Sequence, residues 1–227
     1  MDNPGAAQPN SARKRGRTAS KAVRRQQLID ATIESISKHG ITGTTMTTVT
    51  GIAGMSIGIV NFHFKNKKTL FEDTLRFLAE EHRDQWRKSV SKADLTPDAK
   101  LLGIVDAHFH PRICNRKKLS VWFAFYGEAS ARAAYRDIMS EIDEERWLVS
   151  TRLCREIAED GGYDGTDPEH VAETLEGLYD GFCLNILIYP KEFSREDAKT
   201  RIRDYLAKTF PKHFTAPFAA QNGMDRQ

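Results

Sequence analysis

Residues 45–70 read TMTTVTGIAGMSIGIVNFHFKNKKTL, and this stretch decides the fold of the chain. It is apolar at helical spacing, is interrupted by a turn at Gly54, Met55 and Ser56, and ends in a group of lysines. Two short helices joined by a tight turn are typical of a helix-turn-helix, whose second helix enters the major groove of DNA. The stretch therefore predicts a DNA-binding head, and we interpret the rest of the chain as the part that dimerises and controls it.

A longer helix is predicted before this pair, over residues 22–39, where apolar residues recur at helical spacing and a glycine follows at the stop. The next helix is predicted over residues 46–52, with Thr44 or Thr45 as its cap and Ile52 facing inward. Together with the recognition helix, these two form a predicted three-helix domain.

The candidate recognition helix covers residues 57–64. Gly54 permits the chain reversal before it, and the Ser56 hydroxyl is expected to cap it by accepting a backbone N–H. Asn61 is the one amide in this helix that could bond an adenine edge or a phosphate. Direct readout of bases is therefore expected to be sparse.

The formal net charge of +3 conceals an asymmetry. Residues 1–71 carry eleven Lys and Arg against three acids, or +8, which leaves −5 for the remainder. A basic head on an acidic body indicates a phosphate-binding part with a separate regulatory part. The residues expected to contact double-stranded operator DNA are Arg24, Arg25, Thr45, Thr47, Ser56, Ile57, Gly58, Asn61, Phe62, His63, Lys65 and Lys67.

The two ends of the chain lack apolar periodicity, so a disordered basic arm is expected over residues 1–21 and a flexible tail over 215–227. The arm is either a solubilising tail or a tether that follows the DNA backbone or enters the minor groove. The remaining chain divides into a helix-turn-helix domain, 22–70, and an effector-binding and dimerisation domain, 71–214. The basic residues of the arm are Arg13, Lys14, Arg15, Arg17 and Lys21.

Composition argues against a membrane protein. The mean hydropathy is −0.53, and no apolar run approaches the roughly 20 residues that a bilayer span needs. No apolar segment resembles a secretory signal, so a cytoplasmic location is expected. Cys114, Cys154 and Cys183 are far apart and lie in apolar or helical contexts, which favours reduced core thiols over a disulfide or zinc site.

The stretch GMSIGIVNFHFKNKKTLF, residues 54–71, resembles the DNA-binding signature of the TetR family of repressors. The resemblance implies a homodimer that reads the two half-sites of a palindrome. Two departures concern the phosphate contacts: Asn61 stands where the family usually has tyrosine, and Thr50 and Gly51 stand where better helix formers are usual. The matching positions are Gly54, Ser56, Gly58, Phe64, Lys67 and Leu70.

The body is predicted to be helical throughout, since no strand alternation persists in it. The fold class is therefore all-α, with about nine helices: three in the head, and a C-terminal helical domain for ligand binding and dimerisation. Pro111 is expected to kink one helix. The helices predicted after the recognition helix cover residues 67–90, 98–114, 117–130, 134–160, 167–189 and 194–213.

The segment VWFAFYGEAS, residues 121–130, resembles the BetI-type branch of the TetR family, as do RRQQLIDATIESI at 24–36 and LEGLYDGF at 175–182. That branch responds to choline, so the resemblance implies a choline-like small-molecule effector. A quaternary ammonium cation is held best by aromatic faces, although such rings also serve as ordinary core. The candidate ligand-binding residues are Trp122, Phe125, Tyr126, Trp147 and Tyr179, with Glu128, Asp180 or Asp106 as a carboxylate partner.

An apolar stripe near the C-terminus is the predicted dimer interface, where Gly177 and Gly181 would let another helix come close. The resemblance favours this interpretation, and burial inside the monomer is the alternative. The stripe consists of Val171, Leu175, Leu178, Phe182, Ile202 and Tyr205.

Catalysis is not expected, because no phosphate loop, nucleophile elbow or serine, histidine and acid set appears. His108 and His110 are two residues apart and point to different helix faces, so neither a metal site nor a cofactor is expected. The leading hypothesis is a ligand-responsive repressor. The alternatives are a DNA-binding dimer that responds to a different hydrophobic ligand or to none, and an enzyme.

Overall fold

The computed structural model describes residues 20–215, and this part of the chain forms nine α-helices and no strand. The all-α class and the number of helices are therefore confirmed. Residues 1–19 of the predicted arm and 216–227 of the predicted tail lie outside the described residues, whereas Ser20 and Lys21, predicted as the end of the arm, are the cap and the first residue of the first helix. The helices are α1 Lys21–Gly43, α2 Met46–Ala53, α3 Ile57–His63, α4 Lys67–Val90, α5 Pro97–His108, α6 Arg116–Gly127, α7 Arg132–Gly161, α8 Pro168–Ile188 and α9 Arg195–Thr209.

Helix α1 is broken at Gly40, as the sequence predicts. Gly40 has φ 68° and ψ 177°, a backbone conformation outside the helical region that glycine adopts at little cost. A short turn continues to Gly43. Before the break, α1 buries an apolar face that includes Leu28, Ile29 and Ile36.

The helix-turn-helix forms with two corrections. Thr45 caps α2 in a capping box with Thr48, and Gly54 adopts the left-handed conformation with φ 63° that the turn requires. Ser56 precedes α3, but its side chain makes no capping hydrogen bond, so the predicted cap is wrong. Ile52 is 41% exposed rather than inward-facing, because α2 buries Val49 and Thr50 instead.

The connection between α5 and α6 differs from the prediction. Helix α5 ends at His108, and Pro111 lies in the turn that follows, where it does not kink a helix. The turn is closed by the Ile113 N–H, which donates to the His110 carbonyl at 2.9 Å, and Asn115 then caps α6. Helix α4 has its predicted bounds, and α6–α9 lie within four residues of theirs.

Two apolar clusters fill the protein. We call the first the head cluster: it joins α1–α4 to α6 and α7 through Leu28, Val49, Phe64, Leu70, Phe71, Val121, Phe125 and Met139. The second, the body cluster, joins α4–α9 through Trp86, Leu101, Phe109, Leu153, Leu175, Tyr179, Ile202 and Phe210. Trp122 of α6 packs against both clusters.

Helix α6 is therefore one of the body helices that contact the head. It packs against α1, and Lys117 of α6 forms an ion pair with Glu34 of α1. The ammonium groups of Lys117 and Lys38 lower the pKa of Glu34 to about 2. A movement of α6 would act directly on the first helix of the head.

No helix in the described range 20–215 combines the length and apolar character needed to cross a membrane.

Candidate nucleic-acid interface and ligand cavity

The recognition helix α3 presents an apolar surface to solvent. Ile57 is 49% exposed and Phe62 is 72% exposed, while Val60 and Phe64 are buried beneath them. Exposed apolar side chains suit contacts with thymine methyl groups and sugars better than hydrogen bonds to base edges. The other predicted contact residues that are exposed are Thr45, Thr47, Ser56, Gly58, Asn61 and Lys65.

Two of the predicted phosphate-binding cations also hold the head together. Arg25 forms an ion pair with Asp73 at 2.8 Å and lies 5.3 Å from the centroid of the Phe64 ring. The Lys67 ammonium donates to the Ile41 carbonyl at 3.3 Å. Both side chains are half-buried, as are those of Arg24 and His63. Lys65 is the more exposed cation beside α3.

The surroundings of His63 disfavour its protonated form. Burial of the ring lowers its pKa, and the nearby cations Lys21 and Arg25 lower it further. A neutral imidazole can accept a hydrogen bond as well as donate one. His63 can therefore contact DNA without adding charge.

A cavity of about 490 Å³ lies in the body and is lined by residues of α4–α8. Its aromatic walls are Trp122, Phe123, Tyr126, Tyr135 and Trp147. Among the described residues that line it, five carboxylates face one guanidinium, that of Arg146. An apolar, aromatic cavity with a net negative charge is suited to an organic cation. The carboxylates are Asp143, Glu144, Glu173, Glu176 and Asp180.

Arg146 organises the acidic wall. It is 5% exposed, donates from Nε to both carboxylate oxygens of Glu176 at 3.0 and 3.2 Å, and donates from Nη2 to Asp143 at 3.1 Å. These carboxylates raise the pKa of Arg146 against the effect of its burial, so it stays charged. The fork geometry of a guanidinium fixes both carboxylates in place.

Two of the five carboxylates, Asp143 and Asp180, have a raised pKa. Burial raises the pKa of Asp143 to about 6, against the opposing effect of Arg146. Burial likewise raises the pKa of Asp180. A cation entering the cavity would restore the preference of both groups for the charged form.

One end of the cavity is neutral and polar. Burial lowers the pKa of His82 to about 3 and that of His108 well below its usual range. His108 stacks on Tyr179 with ring centroids 4.5 Å apart, and its Nε2 lies 3.4 Å from Cys183 Sγ. Cys183 Sγ lies 4.0 Å from Cys114 Sγ, and both thiols are free. Within residues 20–215, no group of three or more possible ligands is placed to hold a metal ion.

The cavity includes some of the predicted ligand-binding residues and not others. Trp122, Tyr126 and Trp147 line it, together with the carboxylate of Asp180. Phe125 does not, because it is buried in the head cluster, where its ring meets Phe71 edge-on at 6.3 Å.

Three other predicted ligand-binding candidates also lie outside the cavity, where each contacts other residues. Tyr179 is fully buried behind His108. Glu128 accepts a hydrogen bond from Ser130 at 3.0 Å. Asp106 forms an ion pair with Arg203 at 3.2 Å. None of the three lines the cavity.

Apart from Trp147, the contribution of α7 was not identified from the sequence. Tyr135, Asp143 and Arg146 all come from this helix, whose segment RDIMSEIDEERW carries charges all round. Such a pattern is typical of a solvated helix. The available signal was the spacing of Tyr135, Met139, Asp143 and Trp147, which recur every four residues and so share one face.

The residues of the predicted dimer stripe differ in how far the monomer buries them. Val171, Leu175 and Ile202 belong to the body cluster and are buried within the monomer, so the alternative of burial is correct for them. Val171 and Leu175 of α8 pack in this cluster with residues of α7 and α9 rather than facing solvent. Leu178, Phe182 and Tyr205 are half-buried. The apolar side chains that α8 leaves exposed are Leu184 and Ile188, at 39% and 53%.

Comparison with known families resolves the class of protein. Residues 28–74 match the family of bacterial regulatory proteins named tetR, and residues 97–211 match the C-terminal domain of BetI-type transcriptional repressors. The chain belongs to the TetR family. Its members are transcriptional regulators, so the predicted regulator class is confirmed, and the BetI-type body makes this TetR-family protein a ligand-responsive repressor.

Curated relatives agree with this assignment. The HTH-type transcriptional regulator BetI of Pectobacterium carotovorum is 30% identical over 186 residues, which cover 81% of this chain and 92% of that protein. BetI of Paraburkholderia phymatum is 30% identical over 187 residues, with 81% and 91% covered. The BetI-type resemblance that the sequence suggests is therefore confirmed.

Solved structures share the TetR-family fold. A transcriptional regulator from Pseudomonas aeruginosa PAO1 has a TM-score of 0.74 and 22% identity, and the match covers 87% of this chain and 97% of that one. A regulator from Saccharomonospora viridis, solved in complex with choline, has a TM-score of 0.69 and 17% identity, with 82% and 96% covered.

Proposed function

We propose that this repressor binds a palindromic operator as a homodimer and releases it when choline, or a related quaternary ammonium compound, occupies the cavity. The observation that carries the proposal is the aromatic and acidic lining of the cavity, in which Trp122, Tyr126, Tyr135 and Trp147 stand beside five carboxylates. The alternative of a dimer without an effector gives no reason for such a lining.

The chemistry of the cation supports this assignment. A quaternary ammonium group has no N–H and cannot satisfy a hydrogen-bond acceptor, so its affinity comes from aromatic faces and from opposite charge. Each aromatic contact contributes about 0.5 to 2 kcal/mol once water is removed. The excess of carboxylates favours a ligand with a net positive charge over a zwitterion such as glycine betaine.

The surface of α8 supports a homodimer. Leu184 and Ile188 are exposed, and a Cβ atom added at Gly177 or Gly181 would meet nothing within 4 Å. A second copy of α8 can therefore approach closely along this face. Two heads held by such a dimer would meet successive major grooves when their recognition helices are about 34 to 36 Å apart.

Release of DNA requires that the cation bind one conformation more tightly than the other. Helix α6 is suited to couple the two sites, because Trp122 lines the cavity and also packs on the head cluster. A ligand that shifts α6 would shift α1 with it. The distance between the two recognition helices would then no longer fit the operator.

The similar proteins support a choline-like ligand. The regulator from Saccharomonospora viridis was solved with choline bound, and the curated relatives are BetI regulators. These properties belong to the similar proteins, and they make choline the first ligand to test on this one.

Calorimetry with matched ligands tests the proposal. Choline should bind more than about tenfold more tightly than 3,3-dimethyl-1-butanol, its uncharged carbon isostere, because only choline gains the cation–π and charge contributions. Choline and betaine aldehyde should also release a duplex selected from a random library for binding to the protein. Equal affinity for choline and the isostere would instead support a hydrophobic effector, and no binding of any cation would refute the sensor function.

A variant pair locates the site. Asp180→Asn keeps the volume of a cavity-lining residue and removes one carboxylate, so it should weaken choline binding. Glu159→Gln removes an exposed carboxylate from α7 outside the cavity and serves as the control. Equal affinities for the two variants would place the cation elsewhere.

A further inference from the structure

Cys114 and Cys183 lie side by side in the body, although 69 residues separate them in the chain. Cys114 belongs to the turn before α6, and Cys183 belongs to α8. Their sulfur atoms are 4.0 Å apart, and both thiols are free. The two sulfurs need to approach by only about 2 Å to reach the length of a disulfide bond.

The position of Cys114 makes this approach feasible. Cys114 lies outside any helix, two residues before α6 begins at Arg116. Its N–H donates to the His110 carbonyl at 2.8 Å, so the turn holds the cysteine close to α8 without fixing its side chain in a helix. A change of staggered rotamer at either cysteine moves its sulfur by a distance of the order required.

The two sulfurs differ in how readily they lose a proton. The hydrogen bond from the Cys183 thiol lowers the pKa of Cys114, and the nearby cations Arg195 and Lys199 lower it further against the effect of burial. The same hydrogen bond, together with burial, raises the pKa of Cys183. Because the thiolate is the form of cysteine that attacks an oxidant, Cys114 is the nucleophile of the pair and Cys183 is the second thiol.

The cavity provides the route for a small oxidant. Cys114 and Cys183 both line it, and they are only 0% and 6% exposed, so larger reagents are kept away. Cys154 is buried as well, but it does not line the cavity. Burial raises the pKa of Cys154 to about 12. An oxidant that enters the cavity therefore meets the pair and not the third thiol.

We propose that Cys114 and Cys183 are a reversible oxidation site, at which a hydroperoxide converts the two thiols into a disulfide. The Cys114 thiolate attacks one peroxide oxygen, the O–O bond breaks, and the leaving oxygen takes up the proton that Cys114 lost. The Cys183 sulfur then attacks the sulfur of the resulting sulfenic acid, and hydroxide leaves with the Cys183 proton as water. Each cysteine gives up one electron and the hydroperoxide accepts two. Exchange with an external thiol reverses the reaction.

The disulfide would fasten the turn before α6 to α8. Helix α6 carries Trp122, which packs on both apolar clusters, so the crosslink would restrain a helix that contacts the head. A cation in the cavity would then shift α6 less. This consequence, unlike the disulfide itself, rests on the proposed function. It predicts that the oxidised repressor stays on its operator at choline concentrations that release the reduced form.

Treatment of the folded protein with hydrogen peroxide, followed by denaturation and titration of free thiols, tests the site. The disulfide should consume two of the three thiols in each chain and leave one. The intact mass should fall by two hydrogen atoms, peptide mapping without reductant should show Cys114 joined to Cys183, and dithiothreitol should restore all three thiols. C154S should form the same crosslink, whereas C114S and C183S should form none within the chain.

Retention of all three thiols, a crosslink that includes Cys154, or a loss of thiols with a gain of oxygen instead of a loss of hydrogen would overturn the oxidation site. These results on the unmutated chain decide the matter even if a variant folds poorly.

The coupling to α6 is tested by release of the selected operator duplex. The oxidised protein should need at least about tenfold more choline for release than the reduced protein, and peroxide should leave the release of C114S unchanged. Equal release of both forms would overturn the coupling. If choline releases neither form while the Cys114–Cys183 disulfide still forms, the proposed function fails and the oxidation site stands.

Discussion

Replacing Arg146 by Met should destabilise the protein strongly, because Arg146 is the cation that neutralises the acidic wall of the cavity. Arg146 is 5% exposed, and its guanidinium contacts the carboxylates of Glu176 and Asp143. Methionine fills much of the same volume, so the main loss is the charge. Removing one partner of a buried ion pair typically costs about 3 to 5 kcal/mol.

The cost can be measured by urea unfolding and by the midpoint of thermal unfolding. For a chain of this size, 1 kcal/mol corresponds to a shift of about 2 to 4 °C. Arg146→Met should therefore lower Tm by roughly 6 to 20 °C. Arg152→Met is the matched control on the same helix, and since its ion pair with Glu156 is exposed, it should cost less than about 1 kcal/mol.

A second substitution identifies the cause. If the loss comes from uncompensated carboxylates, Glu176→Gln introduced into the Arg146→Met background should restore part of the stability. The reasoning would be refuted if Arg146→Met were no more costly than Arg152→Met. It would also be refuted if Glu176→Gln lowered the stability of the Arg146→Met variant further.

Three further predictions concern the cation site, the turn and the DNA contact. Because the pKa of Asp143 is raised to about 6, lowering the pH through that value should protonate Asp143 and weaken choline binding. The Asp143→Asn variant should lose this pH dependence in calorimetric titrations. A pH profile that the substitution leaves unchanged would exclude Asp143 as the source of the dependence. Gly54 has φ 63°, so Gly54→Ala should cost about 1 to 2 kcal/mol in urea unfolding, whereas a neutral effect would show that the turn relaxes. Lys65→Ala should reduce the slope of log K against log salt by about 0.9 if Lys65 contacts one phosphate, and an unaltered slope would exclude that contact.

The helix-turn-helix could be predicted because its signals are local. Gly54 is required by the left-handed turn, and Thr45 starts α2 through bonds to residues three positions away. Both requirements are visible in a few consecutive letters. The Ser56 cap failed because the same serine can begin a helix without its hydroxyl bonding to it, and the sequence does not determine which rotamer forms.

The cavity was predicted best on the side of α6, where aromatic residues are consecutive, and α7 and α8 contributed only Trp147 and Asp180 to the prediction. The charged wall depends on which face of α7 turns inward, and that is settled by packing against α4, α5 and α8. Arg146 looks like a solvated charge in the sequence because its partner Glu176 is 30 residues away. Pairing at that distance leaves no local signal.

The apolar stripe on α8 could not be assigned from the sequence for a different reason. Val171 and Leu175 satisfy the pattern of an interface and the pattern of a monomer core equally well, since both need apolar residues at helical spacing. Only the position of α9 distinguishes the two patterns, because Ile202 and Leu206 of that helix complete the cluster that buries Val171 and Leu175.

The double packing of Trp122 limits how the ligand specificity of such a repressor can change. A substitution at Trp122 alters the wall of the cavity and, at the same time, the packing of α6 against the head cluster. Trp147 and Asp180 line the same cavity and belong to neither apolar cluster. Altered effector preference should therefore be reached through α7 and α8, while α6 is kept as the shared hinge of sensing and DNA binding.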